Sequence, residues 1–347
     1  MQPRPVVFPV ITAMLVCTLY FYTQAYGIIL HPDAGEPNLT TWTDRPVNAV
    51  VGRWQNNASF VVVAPKWILT VRHQGGAPAT VVINDVNYVC IHNENLWTGG
   101  GEENNADIRL IRLKNSDGSD PDLAYAPPYT DTNDVDKDFV IGGYGTYRGA
   151  TLSSGGYAYG YQWAESSNDT LRWGQNHIDG QESVQLSNSY LSYVLYAHFN
   201  LTGRPYEAAI AARDSGGGWF INQNGTWKLA ALSAYVQRLN KTWYDDPNTL
   251  NTTDPDHFWG IRISSYATWI NTIIAADCNG PVQADLNNDC KVDFSDFALF
   301  AKQWLRTGCI IANNYCGGTD FTPTDGKVDF SDLLIFTQSW LVDTSPP

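Results

Sequence analysis

Three short segments of this chain hold the residue types that nucleophilic acyl transfer needs. Trp67-Ile-Leu-Thr-Val-Arg-His73 delivers a histidine from the end of an apolar run. Asn105-Ala-Asp107-Ile-Arg-Leu-Ile-Arg-Leu113 opens an alternating run with an aspartate, and Arg213-Asp214-Ser215-Gly-Gly-Gly218 sets a serine in a glycine-rich turn. A serine hydroxyl attacks a carbonyl when a base takes its proton, an acid orients that base, and backbone N–H groups receive the developing oxyanion. Read singly, His73 is a capped loop histidine, Asp107 a strand-edge residue and Ser215 a turn serine; their joint occurrence favours chemistry. The other five histidines, His31, His92, His177, His198 and His257, stand in no comparable context and are read as surface or core residues.

A second constellation is made of oxygen ligands. Asp285, Asn287, Asp289, Asp293 and Asp296 fall at positions 1, 3, 5, 9 and 12 of a loop, with the Lys291 carbonyl at position 7, the spacing of a calcium site. The hexapeptide Lys291-Val-Asp-Phe-Ser-Asp296 recurs as Lys327-Val-Asp-Phe-Ser-Asp332, and Phe300, Trp304 and Leu305 recur as Phe336, Trp340 and Leu341. Two loop-helix repeats are expected. In the second, counting back from Asp332 puts Phe321 and Pro323 at positions 1 and 3, whereas a one-residue insertion brings in Asp320 and Thr322 beside Asp325, Asp329 and Asp332, with Lys327 as the carbonyl donor. The plainer reading, helix-capping aspartates in a solvated loop, stays beside the metal reading for both copies.

Taken in chain order, the first three segments resemble the chymotrypsin/trypsin family of serine peptidases. Gly143-Tyr144-Gly145 and the run from Trp259 to Ile270, similar to the family's last strand and C-terminal helix, extend the resemblance over Val47 to Ile274. Gln74 follows the histidine where a cysteine is usual, so bacterial-type members are the nearer comparison. The resemblance implies an endopeptidase that works through an acyl-enzyme intermediate. Ser215 is then the nucleophile, His73 the general base and acid, Asp107 the group holding the imidazole tautomer, and the N–H groups of Arg213 and Ser215 the oxyanion hole. It also implies two six-stranded β-barrels with a C-terminal helix.

The same resemblance assigns Ala209, Ser233, Tyr235 and Phe258 to the substrate pocket. Ala209 stands where trypsin-like members carry an acid, and Tyr235 replaces a small residue, so small or medium apolar side chains are expected over Lys or Arg. Arg213 replaces the family's glycine two residues before the serine, and a non-glycine peptide there puts an oxyanion donor at risk. Asp214 matches the aspartate that pairs with a new N-terminal amine in activated members, yet no activation site is legible at Arg45-Pro46.

The C-terminal stretch ADLNNDCKVDFSDFALF resembles the first repeat of a type I dockerin, with Cys290 where such loops favour glycine. That resemblance implies calcium as cofactor and a cohesin-like partner; catalysis itself calls for no cofactor.

The elements that must position these residues read as all-β. Short apolar runs at Ser59–Val63, Trp67–Thr70, Thr80–Ile83, Tyr88–Ile91 and Ile108–Leu113 are parted by turn formers. A second series follows at Phe139–Gly143, Ser192–Tyr196, Trp219–Ile221, Trp227–Leu232 and Gly260–Ile263. A helix is expected over Ser265–Ile274 and another over Ser295–Leu305, whose Phe297, Phe300 and Trp304 would pack against Leu333, Phe336 and Trp340. The division expected is a signal peptide over 1–26, a peptidase domain over 27–276, a linker over 277–284 and a small α-helical dockerin-like calcium module with two repeats over 285–343.

Composition bounds the function classes. With 347 residues, 44% of them hydrophobic, and 13 Trp, the chain can bury a large core. A formal net charge of −14 opposes binding to nucleic acid or to anionic membranes. Arg4, the apolar stretch from Val6 to Tyr22 and the polar boundary near Ala25 have the layout of a secretory leader, which makes the product secreted or cell-surface, with no membrane span after cleavage. An uncleaved anchor fits less well, because Pro9, Thr12 and Thr18 interrupt a run already short for a span. Besides Cys17, four cysteines (Cys278, Cys290, Cys309, Cys316) crowd the C-terminal unit, with three pairings open, and Cys90 is left as a buried thiol. Two other classes of function stay in view: a catalytically weak protease-like binding protein, and an assembly component whose main work is cohesin binding.

Overall fold

The computed structural model describes residues 28–31, 42–55, 58–76, 78–95, 106–164, 170–186, 190–200, 204–247, 254–277, 282–287, 290–322 and 325–344. The expected leader over 1–26, Cys17, Cys278 and Asp289 lie outside them. Strands β1 (Ile29–Leu30), β2 (Val51–Trp54), β3 (Ala58–Ala64), β4 (Trp67–Thr70), β5 (Thr80–Ile83), β6 (Val86–Asn95) and β7 (Arg109–Lys114) come first. The last six of these close a barrel in the order β2-β3-β4-β7-β6-β5. β3 and β4 are buried along their whole length, which is why they read as continuous apolar runs. Alternation still sorts their side chains: Phe60, Val62 and Ile68 fill the barrel, while Val61, Val63 and Leu69 enter the core shared with the second half.

The second half contains β8 (Asp138–Gly143), β9 (Arg148–Ser154), β10 (Tyr157–Trp163), β11 (Arg172–His177), β12 (Gly180–Leu186) and β13 (Tyr190–His198). It continues with β14 (Ala208–Ala209), β15 (Gly218–Gln223), β16 (Thr226–Val236), β17 (Lys241–Trp243) and β18 (His257–Arg262). Seven of these form one antiparallel sheet, β11-β8-β15-β16-β18-β13-β12. Among the described residues the ladders thus give seven strands in one sheet and do not close a second six-stranded barrel. The strands at the two ends of the order, β11 and β12, are joined by Ile178 and Asp179 alone, so the two ends of the sheet follow one another directly along the chain. Two small sheets, β17-β10-β9 and β1-β14, flank it. Helix α1 spans Ala267–Ala276, shifted by two residues from its expected place because Ile263–Ser265 form a 3-10 turn first.

In the C-terminal unit, helix α2 spans Phe294–Lys302 and its counterpart spans Phe330–Gln338. Each starts with a capping box, Asp293 with Asp296 and Asp329 with Asp332, so the repeated aspartates do cap helices. Phe300 and Phe336 meet at 5.4 Å between ring centroids and are both buried. Cys309 and Cys316 form a disulfide, Cys290 is disulfide-bonded, and Cys90 is a free thiol, half-buried rather than buried. The segment expected as a linker begins tied down: both carboxylate oxygens of Asp277 accept from Arg112 Nε at 2.7 Å, and buried Lys66 of the barrel approaches Asp277 and donates to Cys290 Sγ at 3.5 Å.

Candidate active site

The seam between the barrel and the seven-stranded sheet is lined by Leu69, Val71, Ala106 and Ile108 from one side and Leu232, Tyr235 and Ile263 from the other. β4 ends at Thr70 and hands the chain to the loop carrying His73; β7 begins just after Asp107; the turn Asp214–Gly217 precedes β15. The structure brings the three side chains together. His73 Nδ1 lies 2.5 Å from Asp107 Oδ2, and His73 Nε2 lies 3.0 Å from Ser215 Oγ. Asp107 is fully buried, whereas the His73 side chain keeps 23% of its exposure, so the imidazole is reachable from solvent and the carboxylate behind it is not.

The Asp107 carboxylate is saturated with donors. Its Oδ1 accepts from the backbone N–H groups of Arg72 and His73, each at 2.8 Å, and its Oδ2 accepts from the Tyr235 hydroxyl at 2.8 Å. Its own N–H donates to Ser192 Oγ at 2.9 Å. Tyr235 thus departs from its expected place in the pocket wall. A bulge in β16 between Ser233 and Tyr235 turns the ring into the seam, 5.8 Å from the His73 ring. Burial first, then the charge of Asp107, push the Tyr235 phenol far above its ordinary range, so it remains a donor.

Ser59 and Gln74, which the sequence did not single out for this role, stitch the histidine and nucleophile loops together. Ser59 N–H donates to Ser215 O at 2.9 Å, Ser59 Oγ accepts from Tyr144 N–H at 2.9 Å, and Thr70 Oγ1 donates to Ser59 O at 2.8 Å. The Gln74 amide donates to Ser215 O and, at 3.4 Å, to Ser59 O. Where a disulfide was noted to be missing, a hydrogen-bonded amide now holds the loop.

Asp214 points away from Ser215 into a fully buried site, where it accepts from Ala211 N–H at 2.9 Å, from Gly145 N–H at 2.7 Å and from the N–H of Ile28. A Cβ at Gly143 or Gly145 would overlap its carboxyl, which accounts for the Gly-Tyr-Gly sequence. Burial pushes the Asp214 carboxyl up to about 7, against the pull of these donors and of Arg172.

Arg213 has φ of 72°, in the left-handed region that glycine occupies freely. The chain therefore adopts a glycine-type conformation with an arginine two residues before Ser215, at a conformational cost of about 1–2 kcal/mol. Arg213→Gly relieves it while adding freedom to the unfolded chain, so a net gain of about 0.5–1 kcal/mol is expected, read as a higher urea midpoint at constant m-value. An unchanged or lower midpoint would show that contacts of the arginine outweigh the strain.

Ala209 and Phe258 are buried and adjoin a cavity of about 10 Å³, room for roughly one water. Ser233 does not face that cavity; its hydroxyl accepts from Trp219 Nε1 at 3.0 Å, and Trp219 is in edge contact with Phe258 at 5.3 Å.

In the first acidic loop Asp296 is buried and accepts from the N–H groups of Leu286, Asn287 and Asp293, Asp285 accepts from Cys290 N–H, and Asp293 accepts from Ser295 N–H. Cys290 has φ of 73°, the conformation for which such loops favour glycine. In the second, Asp332 accepts from the N–H groups of Phe321, Thr322 and Asp329, while both carboxylate oxygens of Asp320 are buried without a well-formed hydrogen bond, the Thr322 N–H alone easing their charge. Burial, then the charges of Asp332 and Asp325, raise the Asp320 carboxyl above its ordinary range. Lys327 pairs with Asp325 and Asp329. Among the described residues no three His, Cys, Asp or Glu side chains converge closely enough to hold an ion.

No family model matches the chain. It is 23% identical over 250 residues to chymotrypsin-like elastase family member 1 of Canis lupus familiaris, covering 65% of this chain and 84% of that protein. Among solved structures, neuropsin, a serine protease expressed in the limbic system of mouse brain, matches with a TM-score of 0.41 and 17% identity over 65% of this chain and 95% of its own. The mostly β architecture with few helices is consistent with a chymotrypsin-like fold, and the distant similarity to the elastase supports that class. No described helix is long and apolar enough to cross a membrane.

Proposed function

We propose that this chain is an extracellular serine endopeptidase. The observation that carries the reading is the line from Asp107 Oδ2 through the His73 ring to Ser215 Oγ, with hydrogen-bond separations at both ends. In this mechanism His73 Nε2 takes the Ser215 Oγ proton as Oγ bonds to the substrate carbonyl carbon, and the resulting oxyanion sits at the N–H groups of Arg213 and Ser215. The imidazolium returns that proton to the leaving amine as the C–N bond breaks. Water then repeats the sequence on the acyl-enzyme, giving its proton to His73 and releasing Ser215. Small or medium apolar side chains are the proposed preference, since Ala209 offers no charge to pair with Lys or Arg. The test is labelling of the processed protein by a fluorophosphonate followed by peptide mapping: the adduct is expected on Ser215, and an adduct elsewhere or none sinks the reading in favour of a non-catalytic binding protein.

The C-terminal unit is proposed to bind calcium, with a cohesin-like partner as the use of that fold. An all-oxygen donor set suits a hard cation, and the buried Asp320 carboxylate, in the field of Asp332, Asp325 and Asp329, is the feature that supports one, with the ligands drawing together as the ion binds. Asp285, Asn287, Asp289, Asp293 and Asp296 with the Lys291 carbonyl would hold the ion in the first loop, and Asp320, Thr322, Asp325, Asp329 and Asp332 with the Lys327 carbonyl in the second. A bound cation offsets carboxylate repulsion there and braces the helix pair. Millimolar calcium is expected to raise the melting temperature of the full chain read by Trp fluorescence. Asp320→Asn should remove part of that gain while leaving the chelated protein as stable or more so, because the native carboxylate is buried among other carboxylates when the ion is gone. Equal calcium response in both proteins would exclude Asp320 as a ligand.

A further inference from the structure

We propose that Tyr235 is a positioning residue of the peptidase site: its phenol O–H holds Asp107 Oδ2, the oxygen that also receives His73 Nδ1–H, and so fixes the carboxylate and tempers its pull on the imidazole. The inference rests on the peptidase reading and assigns a further residue to it. A carboxylate offers about four lone-pair directions. Here four donors fill them, two backbone N–H groups on Oδ1 and the His73 ring and Tyr235 hydroxyl on Oδ2. Remove the phenol and Oδ2 keeps one donor; the carboxyl can then rock about its Cβ–Cγ bond and carries more charge toward His73.

The sequence around Tyr235 shows why this residue does the work. Ser233, two positions earlier, is engaged by Trp219 Nε1. The irregularity in the β16–β18 register lies between Ser233 and Tyr235 and lets the tyrosine side chain enter the seam, where it is almost fully buried. Ser192 backs the arrangement from β13: its hydroxyl accepts Asp107 N–H and lies within hydrogen-bond reach of the phenol. The charged and titratable groups facing this cluster are Arg72, whose guanidinium lies over the Tyr190 ring at 4.8 Å, together with Arg109 and Tyr266. Arg72 and Arg109 are only half-buried, so Tyr235 is the buried donor on Oδ2.

The sign of the effect follows. A donor on Oδ2 withdraws charge from the carboxylate, and an imidazolium facing a less negative carboxylate gives up its proton more readily. Tyr235→Phe is therefore expected to move the acid limb of the labelling rate at Ser215 upward by about half a pH unit and to lower the plateau about tenfold. KM for a peptide substrate should stay within about twofold, since the phenol lies behind the triad. The low-field proton resonance of the His73–Asp107 hydrogen bond should shift in the same variant. Replacing Tyr235 by 3-fluorotyrosine, a more acidic phenol and a stronger donor, should move the acid limb the opposite way and serves if the phenylalanine variant does not fold. An acid limb and low-field resonance identical in the three proteins would overturn the proposal. Failure of the unsubstituted protein to label at Ser215 would instead remove the peptidase reading, and the resonance comparison would still decide the role of Tyr235.

Discussion

Ser215→Ala is expected to lower kcat of the processed chain by about 10⁵- to 10⁶-fold and to end fluorophosphonate labelling. The size follows from what the hydroxyl does: without Oγ there is no acyl-enzyme, and hydrolysis falls back on direct attack by water assisted by the oxyanion donors and by binding. His73→Ala should cost a similar factor, and the double variant little more than either single one, because the two side chains act through one proton transfer across the 3.0 Å contact. Folding should be nearly indifferent to Ser215→Ala. The Ser215 backbone, not its side chain, carries the structural bonds, with its carbonyl accepting from Ser59 N–H and from the Gln74 amide. A variant that keeps more than about a thousandth of the activity would place the nucleophile elsewhere.

The segments around His73, Asp107 and Ser215 were legible because each announces itself locally: an apolar strand running into a histidine, an aspartate opening an alternating strand, a serine in a glycine turn. Tyr235 was not, since its direction depends on a bulge that side-chain identity does not encode. Strands β9 and β10 escaped the pattern reading because they are largely exposed, as in Arg148-Gly-Ala-Thr-Leu-Ser-Ser154, and lack the apolar alternation of a half-buried strand. β12 hides in the polar run Gly180-Gln-Glu-Ser-Val-Gln-Leu186 for the same reason. The seven-strand order of the second half rests on pairing between strands distant in sequence, which local patterns do not carry. Ile28-Ile-Leu30, just beyond the expected leader boundary, was the overlooked signal: three apolar residues that the structure buries completely or nearly so.

That segment leads to the second large effect. A chain whose N-terminus is the amine of Ile28 is expected to show a kcat/KM about 10²–10³ above that of a chain retaining Gly27, the scale of one oxyanion donor gained or lost. Asp214 lies between Arg213 and Ser215, whose N–H groups would receive the oxyanion, so whatever holds Asp214 holds that turn. Its buried carboxylate now accepts a neutral N–H from Ile28, and burial leaves the carboxyl at about 7. Ile28 itself sits at φ of 65°, an outlier for a β-branched residue, and that dihedral ceases to exist once the 27–28 peptide bond is cut. Cleavage would exchange a strained amide for an ammonium beside a buried carboxylate. The sign with pH is definite. A carboxylate raised in the folded state costs stability as pH climbs from about 4 to 7, reaching on the order of 4 kcal/mol, and an ammonium partner offsets that cost until pH passes its own range at about 8 or above. The processed form should therefore gain stability over the unprocessed one between about pH 5 and 8 and lose the gain in alkali, while Asp214→Asn should make the two forms alike. Mass spectrometry of the protein from its native host locates the terminus, and kinetics of two recombinant chains starting at Gly27 and Ile28 measure the ratio. Equal kcat/KM, or a ratio that survives Asp214→Asn, would show that the Ile28–Asp214 contact only anchors β1 against β14 and plays no part in shaping the nucleophile turn.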